Sequence, residues 1–265
     1  MAEFVTYPRW PVGESAVPAG SRAPTQRAPS TRGTVFWLWA VLLGWQLAYA
    51  VLRFASADVV PRNYGSKEVE RVLFGGTLPT AWLQKAFYDG LPLSSWDWYA
   101  VVVYFSVFAT PLALALVLTL FRSRVLPPFL LALTIAHALA VLGHIVAPAL
   151  SPWQFIDLGV IHGIVHELLR GEAAGVVLFA PAITPFSPPM LAATIVGVAV
   201  GRMGWFGRVW GAAYIASAAF ALVYLGERYA VDALAGIIVG LLVWHVAQAA
   251  WGYFDWRAGQ PTTAA

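Results

Sequence analysis

Of the 265 residues, 60 % are hydrophobic and only 11 % charged, which excludes an ordinary soluble globular domain with its apolar share of about 45–50 %. The chain has no cysteine, so disulfides, zinc–thiolate centres and thiol nucleophiles are excluded. Its net charge of +3 is modest and forms no basic stripe of the kind that binds nucleic acid. Residues 1–33, rich in Pro, Ser, Arg and Ala, read as a disordered cytoplasmic tail, because the apolar run behind them comes too late and runs too long for a cleavable signal. Apolar stretches then recur at 34–54, 98–121, 126–147, 189–203, 206–225 and 231–251, each near the length that crosses about 30 Å of hydrocarbon. The expected fold is all-α: a polytopic membrane helix bundle of about six transmembrane helices plus outer interfacial helices. Residues 34–252 form the membrane domain and 253–265 a short cytoplasmic tail. The stretch 66–90, with Val69, Val72, Leu73, Trp82, Leu83, Phe87 and Tyr88, reads as an amphipathic helix on the outer surface. The apolar piece 173–183 is expected as a re-entrant or interfacial segment.

Orientation follows from the basic residues of alternate connections, above all the short ones. With the N-terminus inside, that side holds Arg9, Arg22, Arg27, Arg32, Arg122, Arg124, Arg202, Arg208 and Arg257 against Glu3, Glu14 and Asp255. The other side holds seven basic and ten acidic residues. Both termini are therefore expected in the cytoplasm of a plasma-membrane protein. Connections 55–97 and 148–188 then lie outside, and there a cleft has room to form.

The polar residues of greatest chemical interest lie at the outer edge of the sixth apolar run. Arg228 and Asp232 are four apart, so a helix beginning near Glu227 would place them on one face as an ion pair. Charges at a span's edge are paired or functional, because an isolated one is costly in hydrocarbon. Histidines are the second group. His162 and His166, followed by Glu167, stand four apart in 159–170, which reads as a short amphipathic helix; that spacing suits a helical metal site, with Glu167 or Asp157 adding a carboxylate, or equally an ordinary interfacial helix. His137 and His144 share a face of the third run, with His144 nearer the outer end, and His245 falls near the inner end of the sixth.

The stretch Gly226-Glu227-Arg228-Tyr229-Ala230-Val231-Asp232-Ala233-Leu234-Ala235-Gly236 resembles the third motif of the type-2 phosphatidic acid phosphatase superfamily, in its inositol phosphorylceramide synthase-like branch. That branch commonly reads Gly-Glu-His-Tyr-x-x-Asp-x-x-x-Gly there. The resemblance extends over roughly residues 78–245, through Trp82-Leu83-Gln84, Asp97-Trp98-Tyr99 with Tyr104 and Phe108, and Pro148-x-x-Ser-Pro-Trp153. It implies a lipid phosphatase or inositolphosphotransferase scaffold in which a histidine takes the phosphoryl group and Asp232 orients it. Trp153, Glu227, Arg228 and Tyr229 are then ligand-contacting positions. Neither a cofactor nor a metal is implied.

The chain departs from that pattern at the positions that react. Arg228 stands in place of the nucleophilic histidine, and Phe186-Ser187-Pro188-Pro189-Met190 puts Met190 where the acid histidine belongs. The cationic Ser-Arg pair of the third motif is Ala221-Leu222, and the Arg-Pro of the first is at best Ala147-Pro148. A guanidinium stays protonated and cannot attack phosphorus, and a thioether neither gives nor takes a proton. Three expectations stand side by side. One is a pseudoenzyme that binds a lipid phosphate or a partner protein without turnover. The second is an active lipid phosphatase or phosphotransferase using a rearranged set of His162, His166 and Asp232. The third is a metal-dependent or purely structural membrane protein.

Overall fold

Inside a bilayer no water is available to satisfy backbone N–H and C=O groups, so each long apolar run closes its own hydrogen bonds as a helix. In the computed structural model, which describes residues 31–55, 65–121, 123–146, 149–154, 161–169, 182–183 and 186–258, the six runs become α1 (Thr31–Ala55), α4 (Ser95–Leu120), α5 (Leu126–Val146), α7 (Pro188–Gly201), α8 (Trp205–Tyr224) and α9 (Ala230–Ala258). Between them lie the short helices α2 (Ser66–Leu73), α3 (Pro79–Phe87) and α6 (Ile164–Leu169). Strands β1 (Ala149–Leu150) and β2 (Ala182–Ile183) form a small antiparallel clip, with Ala149 opposite Ile183. The chain is thus an all-α polytopic bundle and an integral membrane protein. Residues 1–30 of the expected tail and most of the segment 173–183 fall outside the described residues, whereas Thr31, Arg32 and Gly33, expected in the tail, already form the start of α1. Helix α9 continues six residues past the expected end of the domain at 252.

Five of the helices are long and apolar enough to cross a membrane. The sixth expected span is shorter than anticipated: α7 has 14 residues, or about 21 Å of rise. It lies inside the bundle, packed on α4, α5, α8 and α9, so protein rather than lipid surrounds most of it. Close approach is possible because glycines face it from two sides. Gly197 of α7 and Gly211 of α8 back onto each other's carbonyls, and Gly236 and Gly240 of α9 meet the backbone or Cβ of Ser187, Met190, Leu191 and Thr194, the small-residue packing that brings membrane helices together. Apolar side chains also face outward, among them Phe36, Leu47, Phe105, Leu116, Ile238 and Leu242. That suits a hydrocarbon surround.

The helices alternate in direction. The starts of α4, α7 and α9 and the end of α8 share one end of the bundle: Ser187 N–H donates to Asp232 O at 3.2 Å, and the Tyr224 hydroxyl donates to Asp97. The turns at 123–125 and 202–204 lie at the opposite end, where Trp39 Nε1 of α1 reaches Thr119 at 3.2 Å. Caps mark the ends locally. Ser94 and Asp97 form a capping box at the start of α4, and Ser187 caps α7 ahead of Pro188, satisfying first-turn N–H groups that have no helical partner.

The segment 66–90 is not one amphipathic helix. A turn at Gly75 and Gly76, with φ of +62° and +89°, splits it into α2 and α3, because a left-handed pair cannot continue a right-handed helix. Helix α2 also turns its apolar side chains outward, with Val72 83 % and Leu73 64 % exposed, while Glu70 is fully buried.

Candidate functional site at the starts of α7 and α9

The turn between α8 and α9 sets the position of the residues that the family resemblance singles out. Glu227 and Arg228 both donate their N–H groups to Leu222 O, at 3.1 and 3.0 Å, closing the end of α8. Helix α9 therefore starts at Ala230 rather than near Glu227. Arg228 precedes it and Asp232 lies in its first turn, so the two do not share a helical face. The expected ion pair is not formed. Asp232 Oδ1 instead accepts from Ser66 Oγ at 2.9 Å, and its Oδ2 has no hydrogen bond. Arg228 acts on Asp232 through charge, and both are buried. Tyr229 is buried beside them; desolvation, and then the Glu70 and Asp232 carboxylates, push its phenol up from the ordinary value. Glu227 is half-buried.

The start of α9 is covered by α2. Glu70 Oε1 accepts the Val231 N–H at 3.1 Å, so a carboxylate 161 positions away in sequence caps this helix. Anions are favoured at such a place by the unsatisfied N–H groups and the helix dipole. Glu70 Oε2 is buried with no hydrogen bond. Burial, opposed by the bonds from Val231 and Ala230 and reinforced by Asp232, raises the Glu70 carboxyl to about 7.

Against this corner lies the start of α7. Met190 is fully buried, one turn below Asp232 on the other helix: a Cβ on Gly236 would come 2.9 Å from Met190 Cβ. Arg228 and Met190 thus belong to the same corner of the bundle, and neither carries an imidazole.

His162 makes its side-chain contacts away from this corner. His162 precedes α6 instead of belonging to it, so the i, i+4 face expected with His166 does not exist; the His166 side chain lies outside the described residues. His162 Nδ1 is 2.9 Å from Glu167 Oε1, and Tyr88 donates to Glu167 Oε2 at 2.7 Å. A carboxylate only accepts, so Nδ1 carries a proton and donates it to Glu167. Burial and then the bond to Glu167 push the Tyr88 phenol up. Tyr88, Asp89, Gly90, Leu91, His162 and Glu167 line an open groove of about 440 Å³. Among the described residues, no group of three or more His, Cys, Asp and Glu is arranged to hold a metal ion.

Gln84 of α3 ties this groove to the bundle. Its Nε2 donates to His162 O and Tyr224 O, both at 2.8 Å, and its Oε1 accepts from His162 N at 2.7 Å. Trp153 sits behind, its N–H on Gly226 O at 3.4 Å. We expect Gln84→Leu to cost more than about 2 kcal/mol, since each buried polar group left unpaired costs about 1–3 kcal/mol. The His162 amide should then exchange rapidly with solvent. A His162 amide that stays protected in that variant would refute the clamp.

Of the remaining histidines, His137 Nδ1 bonds Leu133 O at 2.7 Å within α5, His144 is buried in the last turn of that helix, and His245 is exposed. Sequence reasoning missed Glu70 and Ser66, the residues that close on α9. Their i, i+4 spacing, on the side of α2 away from Val69 and Val72, was the available signal. Comparisons with protein families, curated proteins and solved structures find no match for this chain.

Proposed function

We propose that this membrane protein keeps the outer scaffold of a type-2 phosphatidic acid phosphatase without its histidine chemistry, and binds a phosphate-bearing lipid headgroup through Arg228. The reading rests on one observation: Arg228 and Met190, the positions that correspond to the two histidines, are buried at the corner where α7 and α9 begin. Phosphoryl transfer by that route needs one imidazole to attack, another to protonate the leaving oxygen, and fixed cations for the developing charge. A guanidinium and a thioether supply none of the proton chemistry. Arg228 does supply charge and a bidentate fork for phosphate oxygens. The proposed orientation has both termini cytoplasmic in the plasma membrane and the corner facing outward; Arg124 and Arg202, in turns at the end opposite the corner, support it.

The test uses the full chain in nanodiscs. Short-chain phosphatidic acid should bind without releasing phosphate, and Arg228→Ala should weaken binding roughly ten- to hundredfold, as expected for losing about 1.5–3 kcal/mol of charged hydrogen bonding. Binding that is indifferent to Arg228→Ala overturns the reading. The His162–Glu167 pair favours a second one, in which His162 Nε2 is a general base in the groove. Phosphate release that His162→Ala abolishes would establish it in place of the first.

A further inference from the structure

We propose that α2 is a latch on this anion site, and that the Glu70 carboxylate is an internal competitor for the phosphate-class oxyanion that the site takes. The inference rests on the anion-binding reading of Arg228 and the start of α9, and adds to it what occupies the site when no ligand is bound.

Helix α2 docks the wrong way round for a helix held by apolar packing. Val69, Val72 and Leu73 point outward, and a glutamate goes in. Polar contacts hold it to α9: Glu70 Oε1 on the Val231 N–H at 3.1 Å, with Ala230 beside it, and Ser66 Oγ on Asp232 Oδ1 at 2.9 Å. The cost of this arrangement is visible in the same atoms. Glu70 Oε2 and Asp232 Oδ2 are both buried without a hydrogen bond, although a buried charged acceptor left unmade is expensive.

What Glu70 does at the start of α9 is what a phosphate does at a helix N-terminus: an anionic oxygen accepts first-turn N–H groups and meets the positive end of the dipole. Two anions do not share that position. A tetrahedral oxyanion that reaches Arg228 and the Ala230 and Val231 amides must displace Glu70, and α2 with it. Of the charged and titratable groups around Glu70, Asp232 on α9 acts on it directly, Tyr229 in the preceding turn feels both carboxylates and Glu68, Arg228 acts on Asp232, and Lys67, Glu68 and Arg71 are its neighbours along α2. Burial holds the docked Glu70 carboxyl up at about 7, so docking favours the protonated side chain and the latch is stronger below that pH than above it. Once released, the outward apolar residues of α2 are placed to enter the bilayer surface.

The experiment compares the natural chain with Glu70→Gln and Arg228→Ala in nanodiscs, using inorganic phosphate in one arm and short-chain phosphatidic acid in the other. At pH 8 Glu70→Gln, whose amide docks without the cost of burying a charge, should hold the latch shut and bind weaker by about tenfold, within the usual range of coupling between competing occupants. The loss should shrink towards pH 5.5, where the natural Glu70 is itself neutral. Inorganic phosphate acting alone identifies free phosphate as sufficient, and response only to the lipid identifies the headgroup. Glu70→Gln binding equal to the natural chain at every pH, with Arg228→Ala still weakened, overturns the latch and leaves the anion site. Indifference to Arg228→Ala overturns the site itself. Hydrogen exchange of residues 66–73 in the natural chain provides a readout that needs no variant. Ligand should raise exchange there, and unchanged protection at saturation overturns the latch.

Discussion

Gly211→Leu is expected to lower the Tm of the solubilised protein by roughly 3–10 °C. The position lies where α7 and α8 cross, and a Cβ there would overlap the carbonyl, C and Cα of Gly197. The obstacle is backbone rather than the tip of a flexible side chain, so it yields only if the two helices separate. Overpacking of this kind costs about 1–3 kcal/mol and occasionally more, and each kcal/mol moves the Tm of a chain of this size by about 2–4 °C. Gly44→Leu is the control. A Cβ at Gly44 meets nothing within 4 Å, and leucine has the better helix propensity, worth up to about 1 kcal/mol over glycine. Equal losses in both variants, read by thermal denaturation in one detergent, would show that the crossing is not tight.

Raising the pH from 5 to 8 should destabilise the protein by up to about 3 kcal/mol through Glu70 alone. The sign is opposite to that of most carboxylates. Burial raises the folded-state carboxyl from 4.5 to about 7, so in that interval the folded chain holds a proton that the unfolded chain has released. Stability therefore falls as pH climbs from about 4.5 to about 7 and levels off above it. Glu70→Gln removes the titration while keeping an oxygen for the Val231 N–H. Its Tm should match the natural chain near pH 5 and exceed it at pH 8. A difference between the two proteins that does not change with pH would refute the assignment.

In the sequence, the positions of the bundle helices were legible to within a few residues, for a reason that belongs to each segment alone. A run of about 20 apolar residues in lipid has no other way to satisfy its backbone, and Ser94, Asp97, Ser187 and Pro188 mark the helix starts through contacts no more than three residues long. Local signals also misled where the backbone changed course. Gly75 and Gly76 split 66–90, and the Leu222 carbonyl, by accepting from both Glu227 and Arg228, delays α9 and takes Arg228 off the face of Asp232. His162 is drawn out of α6 by Gln84, 78 positions away, and then finds Glu167 rather than Asp232.

Glu70 is the clearest instance of what folding adds. Its own helix offers only a short polar stripe, and nothing in residues 66–73 indicates that one carboxylate will be fully buried. That outcome depends on the first N–H groups of α9, which have no partner within their own helix and come within reach only when the bundle closes. Apolar length and capping act within a turn or two of chain, so sequence carries them. The occupant of a helix end is chosen by whichever distant group the packing delivers.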